Sequence, residues 1–261
     1  MDILEKIISH KQKEVSERKE LYPVKLLEKA IYFEGTPVSL KKYIQRPDKS
    51  GVIAEIKRKS PSKGMINPHV SVEKTSIGYM QAGASGLSIL TDSEFFGGSS
   101  KDLETARAFN FCPILRKDFI IDEYQIVEAK AIGADVILLI AAALDPQKLS
   151  QLAAFANSLR LEVLVEVHNK EELDSSIVEN VQLMGVNNRN LKTFQTDIST
   201  SKELVEHIPS EYVKVTESGL SSPDVVNELK NVGYEGFLIG EHFMSQARPE
   251  KAAETFIKQI S

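Results

Sequence analysis

Residues 52–64 read VIAEIKRKSPSKG. Val52, Ile53, Ala54 and Ile56 have the character of a buried β-strand, yet Glu55 and Lys57 interrupt it. Side chains two apart in a strand share a face, so Glu55 and Lys57 point the way of Ile53, and Val52, Ala54 and Ile56 point the other way. The strand runs into Ser60-Pro61-Ser62-Lys63-Gly64. An open dinucleotide-binding sheet would place a G-x-G-x-x-G turn there, and this stretch has no such spacing.

Seven further apolar, β-branched runs follow. They are GLSIL (86–90), CPILR (112–116), DVILLI (135–140), EVLVEV (162–167), LMGVN (183–187), VKVTE (213–217) and GFLIG (236–240). Segments with helical spacing lie between them, among them 72–82, 103–109, 124–131, 149–159 and 225–232. Asp145-Pro146 and Ser222-Pro223 are helix-start signals. Gly83, Gly133 and Gly233 stand where helices stop, a position that favours a left-handed residue. Strand and helix alternating eight times imply parallel strands joined by helical crossovers. That count, with no dinucleotide turn, predicts an α/β fold: a single (β/α)8 TIM barrel spanning residues 1–261. Residues 1–50 precede the first strand and form an N-terminal helical extension. Its elements are a partial stripe of Ile3, Ile7, Ile8 and Val15, then Val24–Ile31 and Leu40–Ile44.

The composition fits that reading. Of 261 residues, 42% are hydrophobic and 26% charged, enough for a full-sized core. A net charge of −5 without a basic run argues against nucleic acid as a partner. The charged, amphipathic N-terminus lacks a signal-peptide apolar stretch, and no run approaches about 18 apolar residues. The single cysteine, Cys112, allows neither an internal disulfide nor a cysteine-based metal site. The expectation is a cytoplasmic, monomeric protein with no membrane or nucleic-acid partner.

Enzymes on this fold put their sites at the C-terminal ends of the strands. Here those ends carry Glu55 and Lys57, Lys117, Glu166 and His168, Asn187 and Arg189, Glu217 and Ser218, and Gly240 and Glu241. Two lysines, an arginine and four glutamates thus converge on one mouth. Unpaired burial of charge is expensive, so these groups pair with each other or with substrate. An ion-pair layer would explain one such strand; six polar ends point to a pocket. Gly219 and Gly240 follow the last two strands, where this fold often binds phosphate through close backbone N–H groups. Together these features favour a sugar-phosphate substrate.

The same stretches resemble the indole-3-glycerol phosphate synthase family of tryptophan biosynthesis. They are VIAEIKRKSPSKG (52–64), LSILTDSEFFGGS (87–99), LRKDFIID (115–122), GADVILLIAA (133–142), LVEVHN (164–169), GVNNRNLKTF (185–194), VTESGL (215–220) and GFLIGEHFM (236–244), with ILEKIISHKQKEV at the N-terminus. The resemblance implies a cofactor-free ring closure of 1-(2-carboxyphenylamino)-1-deoxyribulose 5-phosphate to indole-3-glycerol phosphate, carbon dioxide and water. It implies that Lys117 is the general acid and that Lys57 holds the anthranilate carboxylate. Glu166 would be the acid or base of the dehydration, with Glu55 steering the lysines. Asn187 and Glu217 would bond the substrate, and Arg189 and Ser218 line the pocket. Phe96, Phe119 and Leu191 would wall the anthranilate ring, and Gly219, Gly240 and Glu241 take the phosphate with Ser60 nearby. The 59–63 loop is expected to cover the substrate.

Other readings have less support. A Glu166–His168 pair could ligate metal, but no second histidine stands at ligand spacing. A related sugar-phosphate isomerase would share the barrel and phosphate loops, yet would need a different acid–base pair. Cys112 lies at the wrong end of its strand to supply it.

Overall fold

The computed structural model describes residues 2–260. Eight parallel strands close into a barrel: β1 (Val52–Ile56), β2 (Gly86–Leu90), β3 (Ile114–Lys117), β4 (Val136–Ile140), β5 (Glu162–Val167), β6 (Leu183–Asn187), β7 (Val213–Glu217) and β8 (Gly236–Ile239). Each pairs with the next, and β8 returns to β1. Helices fill the crossovers, as the alternation predicts.

Two strand ends differ from expectation. β3 begins at Ile114 rather than Cys112 and runs on to Lys117; Pro113 has no N–H to give the ladder. Gly240 lies beyond β8 and caps a short helix, Glu241–Met244.

The period-2 argument holds around the barrel. Ile53, Leu115, Val136, Leu138, Leu164, Leu183, Val213, Val215 and Leu238 fill the interior. Val52, Ala54, Ile56, Val163, Val165, Val167, Met184 and Val186 face the helix layer. Glu55, Lys117, Glu166, Asn187 and Glu217 continue the interior rows upward. Leu40 and Ile44 of a five-residue helix (Leu40–Ile44) join the interior cluster and plug its lower end. Leu40 is seated by Glu162, which accepts from its backbone N–H at 2.8 Å.

Helix α1 (Ile3–Leu21) opens with a reciprocal cap: Glu5 N–H donates to the Asp2 side chain, and Asp2 N–H to Glu5. The expected helix over 24–31 is only Val24–Leu27, followed by turns. Leu26 and Ile31 stay exposed, so no buried face holds a longer helix there. Gly83, Gly133 and Gly233 do adopt positive φ after their helices. Among the described residues no helix is long and apolar enough to cross a membrane.

Candidate active site

The upper end of the barrel opens into a cavity of about 580 Å³. Every candidate that the sequence singled out except His168 lines it: Glu55, Lys57, Ser60, Phe96, Lys117, Phe119, Glu166, Asn187, Arg189, Leu191, Glu217, Ser218, Gly219, Gly240 and Glu241. Lys117 stands at its centre. Its Nζ is 2.8 Å from Glu166 Oε2 and 3.0 and 2.8 Å from the two carboxylate oxygens of Glu217. Asn187 donates to the other Glu166 oxygen at 3.0 Å. Across the mouth, Lys57 Nζ meets Glu55 Oε1 at 2.6 Å, with the Glu55 side chain 3% exposed.

Burial works against the Lys117 ammonium, but Glu166, Glu217 and Glu55 outweigh it and hold its pKa above the usual lysine value. The two acids divide. Burial raises both, yet the Lys117 charge, then hydrogen bonding to Glu217, then His168 bring Glu166 well below the carboxylate range. Burial and the neighbouring Glu166 charge push Glu217 up to about 8. The site therefore holds a carboxylate, a carboxyl group and an ammonium within hydrogen-bond reach of one another, the means to give and take protons near neutrality.

The cavity has an apolar side and a glycine-rich side. β2 and β4 end in Leu90 and Ile140, and Phe96 and Phe119 stand beside them with ring centroids 5.9 Å apart. On the other side, Ser218 (φ 66°) and Gly219 (φ 78°) follow β7 in the left-handed region. That conformation is strained for serine. Asn188 holds the turn by donating its side-chain amide to the carbonyls of Glu217 and Ser218, both at 3.1 Å. Gly240 is dictated by Glu55: a Cβ there would occupy the space of the Glu55 carboxylate.

The 59–64 loop folds as a two-residue hairpin, Lys59–Ser60 with Gly64–Met65. Its Ser60, Pro61, Ser62 and Lys63 line the cavity. Arg189 donates to Ser62 Oγ and to Glu241 Oε2 (3.2 Å), and Lys63 meets Glu241 Oε1 at 3.2 Å.

Some neighbours were missed from sequence. Ile3, Leu4 and Ile7 of α1 complete the apolar wall. Lys11, 1% exposed, ties α1 to the barrel through Asp92 and Asp118, each at 3.0 Å. The signal was present, because Ile7, Lys11 and Val15 recur every four residues on the buried face. His168 does not line the cavity; it sits behind Glu166, 3.3 Å from its Oε1. Among the described residues no group of three or more His, Cys, Asp and Glu is arranged to hold a metal ion. Cys112 is buried ahead of β3, at the lower end, with its thiol pushed up to about 12 by burial.

Comparison with known proteins agrees with this geometry. The family model "Indole-3-glycerol phosphate synthase" matches residues 4–256. An indole-3-glycerol phosphate synthase of Bacteroides thetaiotaomicron is 48% identical over 259 residues, 99% of both chains. One from Burkholderia ambifaria is 42% identical over 262 residues, covering 98% of this chain and 99% of the relative. Among solved structures, a thiamine phosphate pyrophosphorylase from Pyrococcus furiosus superposes with a TM-score of 0.60 at 14% identity, over 85% of this chain and 98% of that one. That likeness is one of fold alone. With both its sequence and the lining of its barrel mouth in agreement, the chain belongs to the indole-3-glycerol phosphate synthase family.

Proposed function

We propose that this chain is a cytoplasmic enzyme of tryptophan biosynthesis. It closes the indole ring of 1-(2-carboxyphenylamino)-1-deoxyribulose 5-phosphate and releases indole-3-glycerol phosphate, carbon dioxide and water. The observation that carries the reading is Lys117 held between Glu166 and Glu217 at the floor of a half-apolar cavity. The anthranilate ring lies against Phe96, Phe119, Leu191 and α1, and the phosphate against the backbone of Gly219, Gly240 and Glu241, with Ser60 near. Lys57 holds the carboxylate. The ring carbon bearing that carboxylate attacks the ribulose carbonyl, and Lys117 protonates the developing oxyanion. Breaking the carbon–carboxylate bond expels carbon dioxide, and its electron pair restores the aromatic ring. In the last step the new hydroxyl leaves as water after protonation, and Glu166 takes or relays the proton lost from the adjacent carbon. Asn187, Arg189, Glu217 and Ser218 hold the intermediates.

The balance needs no oxidant, nucleotide or metal. Purified chain is expected to form indole-3-glycerol phosphate, followed by its fluorescence, and to keep that activity after exhaustive chelation. Inactivation by chelator that a divalent ion reverses would overturn the cofactor-free scheme.

A further inference from the structure

Glu166 and Glu217 both meet Lys117. One ammonium and two buried carboxylates leave an excess negative charge, so one of the acids gives way. Glu217 spends both carboxylate oxygens on Lys117. Glu166 has more behind it: the Asn187 amide and the His168 ring. We propose that His168 is a positioning residue that singles out Glu166, over Glu217, as the ionised carboxylate facing Lys117. This rests on the functional reading above and adds a member that never touches the substrate.

The geometry of the ring carries it. His168 Nε2 faces Glu166 Oε1 at 3.3 Å and Nδ1 faces Glu172 Oε2 at 3.0 Å, with the side chain 9% exposed. Nδ1 is hydrogen-bonded to Glu172, while Nε2 meets Glu166 as a charge contact without hydrogen-bond geometry, so a neutral ring would leave Glu166 without the positive charge that an imidazolium sets beside both carboxylates. Glu172 is itself fixed. It accepts from the His168 backbone N–H at 2.8 Å and from the Asn169 amide at 2.8 Å, at the start of the helix Lys170–Ser175. The two flanking carboxylates raise His168 to about 10 against the effect of burial. Among the described residues, the charged groups paired with the ring are Glu166 and Glu172; Lys117 and Glu217 lie beyond Glu166, and Asn187 on β6 is neutral. Glu172, His168, Glu166 and Lys117 thus form an alternating row of charges ending at the reaction centre.

His168→Gln keeps a donor at the Nε2 position and removes the charge. The acid limb of its kcat–pH profile is expected to move up by about one pH unit, a roughly tenfold loss of turnover below the limb. KM should stay within about threefold. An unmoved limb, with only the melting temperature or KM changed, would reduce His168 to packing and overturn the proposal. A second measurement needs no substrate. The His168 ring proton resonance, identified by its loss in His168→Gln among five histidines, should titrate above pH 9; a midpoint near the ordinary value of about 6.5 would overturn the proposal as well. A wild-type chain inert toward the substrate would sink the functional reading alone, because the titration still reports on the pair.

Discussion

A lysine ammonium has three protons to donate, and Lys117 Nζ stands within hydrogen-bond reach of one Glu166 oxygen and both Glu217 oxygens. To protonate the ribulose oxygen it must give up one of those bonds, and the bidentate Glu217 has one to spare. This places the benefit of Lys117 in the transition state more than in ground-state binding. Lys117→Ala is therefore expected to lower kcat by about 10²–10⁴, the usual worth of a general acid, while a product analogue binds within several-fold of wild type. Circular dichroism would verify that the variant is folded, since two buried acids lose their counter-ion. Turnover near normal would mean that another group protonates the carbonyl. Lys57→Ala should act differently, weakening carboxylate-bearing ligands more than the product. Its partner Glu55 holds it at the rim of the cavity, where a carboxylate would arrive.

The strands explain why so much of the site could be read from one line of text. Two-residue alternation sends Glu55, Lys117, Glu166, Asn187 and Glu217 inward whatever the barrel's dimensions, and each does line the cavity. Helix α1 carried a four-residue period that marks its buried face, but nothing in that period says what the face packs against. Ile3, Leu4 and Ile7 become a cavity wall through anchors such as Lys11 to Asp92 and Asp118 and Arg18 to Glu128, and contacts so distant in sequence have no period. The 24–31 segment failed for the opposite reason: Val24, Leu26 and Ile31 stay exposed, and only Leu27 and Ala30 are partly covered. The role of Gly240 was also half hidden. From sequence it read as backbone access for phosphate, but the structure adds the Glu55 carboxylate in the place of its Cβ. Gly240 has φ −123°, which any residue tolerates, so Gly240→Ala should cost little through the backbone. It should instead push Glu55 off Lys57, lowering kcat and raising KM together. Gly219→Ala, at φ 78° and facing Thr196 Cγ2 at 2.8 Å, should lose roughly 1–3 kcal/mol of stability as well. Unchanged kinetics in Gly240→Ala would show that Glu55 does not need that space.

The extension and the barrel are joined by one row of alternating charges. Arg18 pairs with Glu128, Glu128 with Arg116 at 2.6 Å, Arg116 with Asp118 at 3.1 Å, and Asp118 with Lys11, which also takes Asp92. Asp118 adjoins Lys117 and precedes Phe119, so the row fixes α1, the acid and the apolar wall together. Removing one member of a buried ionic set leaves the rest uncompensated, at a cost of about 3–5 kcal/mol. Lys11→Met keeps the apolar stem and deletes the charge, leaving Asp92 and Asp118 buried opposite a thioether. For a protein of this size the melting temperature should fall about 2–4 °C per kcal/mol. The loss has a pH signature. Lys11 and Arg116 hold Asp118 below the usual carboxylate range against burial, so its contribution is present above about pH 4 and disappears as pH falls through the lowered value. Without Lys11 that depression shrinks, and less stability remains to be lost in acid. The gap in melting temperature between wild type and Lys11→Met should thus be widest near neutrality and narrow below pH 4. KM should rise as Ile3, Leu4 and Ile7 lose their anchor, and Lys11→Arg should recover part of both. A gap independent of pH, or a KM untouched while stability falls, would separate α1 from the site and leave the row a structural clamp alone.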